Sequence, residues 1–285
     1  MKKLSNHKEA LAMQSRLWGK HMEKQFADRQ CYWMSRSMSR IGHDVDGRPT
    51  LCVIIDGMDR AKWALPRSAV LASKAFNGLN RPNLDCTGII AHGHCICTAF
   101  GHPTVVKGGN WTCDLLTFLF DKLTASGMDL RQHILHLQSD NCSKESKNNG
   151  VARMMGIYVG KGLLRGTRMQ YCITGHSHED IDQYFSLLGS YLQTQSELYE
   201  PEDFKQALCK YLSNSSVRPL ERMREVVQVD QVRDWMPIHD SEKVSLLFSD
   251  FYFLDATVIL QVSLSVVICK LSGTPSSGPN AEEIS

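Results

Sequence analysis

The sequence lacks the features that are typical of membrane proteins, of secreted proteins and of proteins that bind strongly charged ligands. Its start, MKKLSNHKEALAMQ, has no apolar core of the kind that a signal peptide needs. Lys and Arg number 32 and Asp and Glu number 30, so the net charge of +2 provides no general attraction to nucleic acid. Neither an internal repeat nor the spacing of a zinc finger or helix-turn-helix is visible. Any basic surface must therefore come from local clustering.

The ten cysteines follow no regular spacing, which predicts free thiols in a reducing, intracellular compartment. One group could bind a metal, because Cys95 and Cys97 lie beside His92 and His94 in AHGHCICTAF. Strand alternation would place all four side chains on one face, which is also typical of a half-buried strand. No second ligand cluster has zinc-like spacing, so we expect a structural role for these four residues.

Hydrophobic periodicity predicts a mixed α/β fold. Apolar, β-branched runs alternate with segments whose apolar residues recur at helical spacing. The predicted strands are TLCVIIDGM, LDCTGIIAHGH, CICTAFG, HILHLQSDN and MQYCIT, with the second and third paired across a tight turn. The predicted helices of this region are WTCDLLTFLFDKLTASG, KNNGVARMMGIYVGKGLL and IDQYFSLLGSYLQTQ.

The same pattern divides the chain into four parts. We expect an N-terminal helical region (1–44), an α/β core (45–195), a helical extension (196–245) and an apolar run with a tail (246–285). The apolar run, ATVILQVSLSVVICKL, is shorter than the roughly 20 residues that span a bilayer and contains Gln and Ser. It predicts a strand or a poorly specified tail, and we expect no membrane partner.

Three aspartates stand where predicted strands end. Asp56 closes the first strand, Asp140 closes a later one, and Asp182 lies in the turn from the last strand into a helix. Ends of buried strands converge at a sheet edge, so these acids can share a site although they are far apart in sequence. Taken alone, each acid is better explained as a turn former or a helix cap than as a metal ligand. Clustered carboxylates need a positive charge between them, which predicts Mg²⁺ or Mn²⁺.

Polar and basic residues follow the first two acids. Two divalent ions about 4 Å apart can activate a water or hydroxyl and stabilise the leaving oxygen of a phosphodiester. Such a site needs nearby contacts to the phosphates and bases of a nucleic acid. The candidates near Asp56 are Arg60 and Lys62, and those near Asp140 are Lys144, Lys147 and Asn148.

Two motifs carry a family resemblance. SDNCSKESKN and GHSHEDID resemble the paired signatures of eukaryotic transposase-derived proteins of the DDE/D class. The core from LCVIIDGM through GHSHEDIDQYFSLLGSYL is similar to an uncharacterised domain family placed with ribonuclease H-like integrases. This resemblance implies a ribonuclease H-like mixed sheet flanked by helices. It is also consistent with DNA as the partner, with a location in the nucleus and with a homo-oligomer. It also implies metal-dependent cleavage or strand transfer by Asp56, Asp140 and Asp182.

Alternatives remain for the residues and for the function. Asp59 is the second choice for the first acid and Asp180 for the third, and the resemblance gives His176 or His178 a helper role in proton transfer. The order His-x-His-x-Asp also suggests a zinc hydrolase, although those enzymes carry a further histidine where this chain has Ile181. A third hypothesis is a transposon-derived domain that binds nucleic acid or protein without cutting.

Overall fold

Strand β1, Thr50–Gly57, is the centre of the fold in the computed structural model of the chain. Its run TLCVII is buried throughout, as expected for a strand covered on both faces. The structure describes residues 8–59, 64–68, 70, 73–79, 81, 83–101, 104–140, 142, 144–171, 179–214, 221–235, 237, 251–254 and 257–262.

The main sheet extends to both sides of β1. Its other strands are β3 (Asp85–Ala91), β4 (Cys95–Gly101), β5 (Ile134–Ser139), β6 (Gly166–Tyr171), β8 (Met223–Val229), β9 (Phe251–Leu254) and β10 (Thr257–Val262). The strand order is β8-β4-β3-β1-β5-β6-β10-β9. β1 is antiparallel to β3 and parallel to β5, and β5 is parallel to β6. Two short strands, β2 (Arg67–Ser68) and β7 (Glu197–Leu198), form a separate pair.

Five helices cover the two faces of this sheet. They are α1 (Lys8–Ile41), α2 (Gly109–Ala125), α3 (Asn149–Gly160), α4 (Asp180–Thr194) and α5 (Pro201–Ser213). Local sequence explains several of their ends: the Asn148 side chain caps α3, Pro201 opens α5, and Gly127 takes a positive φ after α2. Mixed strands flanked by helices, with a helix at the N-terminus, confirm the predicted α/β fold class.

Alternate residues of β1 point into two separate cores. Leu51, Val53 and Ile55 pack with apolar residues of α2 and α3. Cys52 and Ile54 pack on the other face, in a core that also contains residues of α1, α4 and α5. Asp56 follows the parity of the second set, so its side chain belongs to the face that α4 covers.

The helical extension and the N-terminal helix both belong to this packing. Phe204 and Leu208 of α5 are fully buried in the core beneath α4, and β8 pairs with β4 along the whole of that strand. In α1, nearly all side chains from residue 10 to residue 24 are exposed, whereas Tyr32 and Ser39 are buried against the sheet. Within the described part of the chain, no helix is long and apolar enough to cross a membrane.

The expectation that His92, His94, Cys95 and Cys97 share one face is wrong. Cys95 and Cys97 are buried in the core under α2, whereas His92 contacts Tyr32 of α1 on the opposite face. His92 and His94 lie in the turn around Gly93, just before the strand that carries the cysteines. Strand alternation would in any case put residues 92 and 94 on the face opposite to residues 95 and 97. The eight cysteines that the structure describes are all free thiols.

Candidate functional site

Asp56 and Asp140 lie side by side where their strands end. The parallel register pairs Ile55 of β1 with Ser139 of β5; Asp56 is the next residue of β1, and Asp140 directly follows β5. Neighbouring strands lie about 5 Å apart, so the register brings the two acids to the same end of the sheet. Pairing between distant segments, rather than proximity in sequence, creates this part of the site.

A glycine brings the third acid to the same place. Gly88 of β3 stands opposite Asp56, and a methyl group on Gly88 would lie 2.9 Å from atoms of Ile181 and Phe185 in α4. Only a residue without a side chain lets the first turns of α4 approach the sheet so closely. Asp182 directly follows the buried Ile181, so this contact sets the helix that carries Asp182 beside the end of β1.

The charges of Asp140 and Asp182 act on the carboxyl group of Asp56. Burial raises the pKa of Asp56 to about 7, and the negative charges of Asp140 and Asp182 act in the same direction. Two groups oppose this increase in pKa: the Gly57 N–H, which donates to Asp56 Oδ1 at 2.7 Å, and the ammonium of Lys107. The structure therefore places the three aspartates that the sequence singles out at one end of the sheet, where the charges of Asp140 and Asp182 reach Asp56.

Asp180 and Asp182 have different partners despite their proximity in α4. Asp182 accepts a hydrogen bond from the Glu179 N–H at 3.1 Å, as part of a reciprocal capping box. Asp180 accepts hydrogen bonds from the Tyr32 hydroxyl and, at 3.2 Å, from Arg36 Nη1. Asp180 is thus bound to α1, and Asp182 is the one of the pair whose charge reaches Asp56.

The structure describes only one of the remaining alternates, Asp59. Asp59 lies two residues beyond the end of β1 and is exposed. His176 and His178, the candidate helpers, lie outside the described residues, as do Arg60 and Lys62.

The three candidates after Asp140 are placed differently from one another. Lys144 is exposed, and Lys147 Nζ lies 5.5 Å from the ring centre of Tyr171, which ends β6 beside Ser139. Asn148 instead serves α3: its Oδ1 accepts from the Val151 N–H at 3.0 Å, and its amide donates to the Glu145 carbonyl at 3.0 Å. The two lysines are therefore available at this end of the sheet, while the amide of Asn148 holds a loop.

Sequence reasoning missed Lys107. Its side chain is only 4% exposed, donates to the Cys86 carbonyl at 3.3 Å and lies 3.7 Å from Asp85 Oδ1. Its Nζ stands 3.1 Å from the position that a side chain on Gly57 would take, and Glu145 Oε2 lies 3.7 Å from the same position. The one signal in the sequence is VVKGGN, a lysine before two glycines at the start of α2. A buried lysine behind Asp56 cannot be deduced from that motif alone.

The donor set fits a hard divalent cation better than it fits zinc. Asp56, Asp140 and Asp182 offer only carboxylate oxygens, which Mg²⁺ and Mn²⁺ prefer, and their mutual repulsion favours a bound cation. Among the described residues, no three or more His, Cys, Asp or Glu side chains are already grouped as metal ligands.

Comparison with known proteins gives one match. Neither a curated protein nor a solved structure is significantly similar to the chain. One family model matches residues 74–249, more than half of the chain, and this range includes Asp140 and Asp182 but begins after Asp56. The chain belongs to the family described as "Domain of unknown function (DUF7869)".

Proposed function

We propose that the end of the sheet formed by β1, β5 and α4 is a divalent-metal site that cleaves or transfers DNA phosphodiesters, as in transposases and integrases of the DDE/D class. One observation carries this proposal: Asp56 and Asp140 follow paired residues of β1 and β5 at one end of the sheet, and Asp182 lies on the helix that packs against Gly88, the partner of Asp56. Burial and the charges of Asp140 and Asp182 raise the pKa of Asp56, and shifted pKa values of this kind are frequent at functional sites.

Each acid has its own role in this proposal. Asp56, Asp140 and Asp182 would hold Mg²⁺ or Mn²⁺, and the bound ions supply activation of a water or hydroxyl and stabilisation of the leaving oxygen. Lys144 and Lys147 would contact the phosphate backbone and set its register over the acids. Lys107 lies behind Asp56 and holds a positive charge beside its carboxylate.

Calorimetric titration with Mn²⁺ tests the metal site directly. The wild type should bind, whereas Asp140→Asn and Asp182→Asn should each lose most of the binding heat. Asp46→Asn is the matched control, because Asp46 is exposed in the turn before β1. A nicking assay on DNA with Mn²⁺ then tests the reaction. Full cleavage by a protein with both Asp56→Asn and Asp140→Asn would refute the assignment.

A second candidate, a non-cutting domain that binds nucleic acid or protein, has one observation in its favour. The Asp182 carboxylate already has a role without any cation, because it accepts a hydrogen bond from the N–H of Glu179 and so closes the capping box of α4. Under this hypothesis Mn²⁺ gives no heat, and Asp140→Asn binds DNA or a protein partner as the wild type does.

A further inference from the structure

We propose that helix α1 positions the third acid: Arg29, Tyr32, Trp33 and Arg36 fix the first turn of α4, and with it Asp182, relative to Asp56. This inference rests on the proposed metal site, because Asp182 matters only if it is a ligand there. These four residues precede the segment that matches the family model. They would make α1 part of the functional site rather than an appendage.

The first link runs through Glu179. Trp33 Nε1 donates to Glu179 Oε2 at 3.1 Å, and Arg29 Nε lies 3.4 Å from Glu179 Oε1. Glu179 and Asp182 bind each other reciprocally, since each carboxylate accepts the other residue's backbone N–H. Holding the Glu179 carboxylate therefore holds the N–H group to which the Asp182 carboxylate is bound.

The second link runs through Asp180. Its two carboxylate oxygens are divided between the Tyr32 hydroxyl and Arg36 Nη1. His92 Nε2 lies 2.8 Å from the same hydroxyl and 3.6 Å from Asp180. Two consecutive residues at the start of α4 are thus each held by two side chains of α1, which leaves this turn little freedom to rotate.

α1 is itself fixed to the strand that carries Asp56. Ser39 Oγ accepts from the Cys52 N–H of β1 at 2.9 Å and donates to the His92 carbonyl at 2.8 Å. Further along the sheet, Gln170 donates to the Asp28 carbonyl at 3.0 Å. A helix bound to β1 at one point and to α4 at another sets the spacing between those two elements. Substitution of residues that orient metal ligands in this way typically lowers metal affinity by about 10-fold to 100-fold.

The matched pair Trp33→Phe and Trp18→Phe tests this inference. Both tryptophans are partly exposed on α1, but Trp33 donates to Glu179 whereas Trp18 lies on the exposed N-terminal half beside His21. Mn²⁺ affinity measured by calorimetry should fall about 10-fold in Trp33→Phe and in Arg29→Met. It should be unchanged in Trp18→Phe and in Arg16→Met, and Arg29→Lys should restore part of the loss because it keeps the charge.

The outcomes separate this inference from the proposed function. If the wild type binds no Mn²⁺, the metal site is refuted and this inference with it. If the wild type binds and Trp33→Phe and Arg29→Met bind equally well, only the positioning role is refuted. A lower unfolding temperature with unchanged Mn²⁺ affinity would also refute it, because α1 would then serve stability alone. Should Trp33→Phe fail to fold, Arg36→Met tests the same role through Asp180.

Discussion

Two clusters of charged side chains lie close together in this molecule and differ in charge balance. Around His92, each carboxylate has an arginine within reach: Asp180 has Arg36 at 3.2 Å, and Glu221 has Arg40 at 3.5 Å. At the end of β1, the charges of Asp140 and Asp182 act on Asp56, and Lys107 only partly offsets them. A balanced network is what a fold uses to fix its elements, whereas an unbalanced one is a candidate for binding a cation.

The substitution with the largest expected effect disrupts the balanced cluster around His92. Asp180→Asn removes the negative partner of Arg36 and alters the hydrogen bond of the Tyr32 hydroxyl. Breaking a largely buried pair leaves a cation without its partner, so we expect a loss of about 2 to 4 kcal/mol in the free energy of unfolding. Urea denaturation measures this loss. A loss below about 1 kcal/mol would mean that the network does not stabilise the fold.

Gly88→Ala should disturb both clusters by moving α4. The added methyl group would meet Ile181 and Phe185 at 2.9 Å, so α4 must shift away from the sheet. Overpacking of this kind costs about 1 to 3 kcal/mol, and the shift should weaken Mn²⁺ binding because Asp182 moves with the helix. Gly166→Ala is the control, since nothing lies within 4 Å of the position of its added methyl group. Wild-type Mn²⁺ affinity in Gly88→Ala would contradict the role of this contact.

Asp56→Asn should have effects of opposite sign on stability and on binding. The substitution removes a buried charge that Asp140 and Asp182 repel, so we expect the protein to gain about 1 to 2 kcal/mol of stability at pH 8. The same change removes a metal ligand and should abolish Mn²⁺ binding. Thermal unfolding and calorimetry on one preparation measure both effects. A loss of stability would mean that Asp56 stabilises the fold, as the charged residues around His92 do.

The dependence of stability on pH sharpens the same comparison. Asp56 has a pKa of about 7 in the folded protein and near 4 when unfolded, so the folded state holds its proton more tightly. The stability that this proton provides is full below about pH 4 and is lost as pH rises to about 7. Urea denaturation across this range should show that decline in the wild type relative to Asp56→Asn. Parallel curves for the two proteins would contradict the raised pKa.

The sequence is sufficient to predict the elements of the core and the acids at their ends. A buried, β-branched run identifies β1, a short apolar run identifies β5, and helical periodicity after the last acids identifies α4. Parallel strands end at the same edge of a sheet, so the sequence alone is enough to place Asp56 and Asp140 together. The preference between Asp182 and Asp180 could not be decided in the same way, because it depends on contacts with α1.

Other parts of the site follow from packing or from competing local roles. Lys107 approaches Asp56 only because Gly57 leaves space for it, a tertiary contact that no local pattern encodes. Asn148 is used by the local cap of α3 rather than by a ligand. The expectation for the His92 segment fails because residues 92 to 94 form a turn before β4.

The position of β1 in the chain has a consequence for folding. β1 is made before its parallel neighbour β5 and before the helix α4 that covers Asp56. Until both are made, an apolar strand has no complete sheet to join, and contacts of such long sequence separation form slowly. The site should therefore assemble only after α4 is available, and newly made chains should depend on protection from aggregation during that interval.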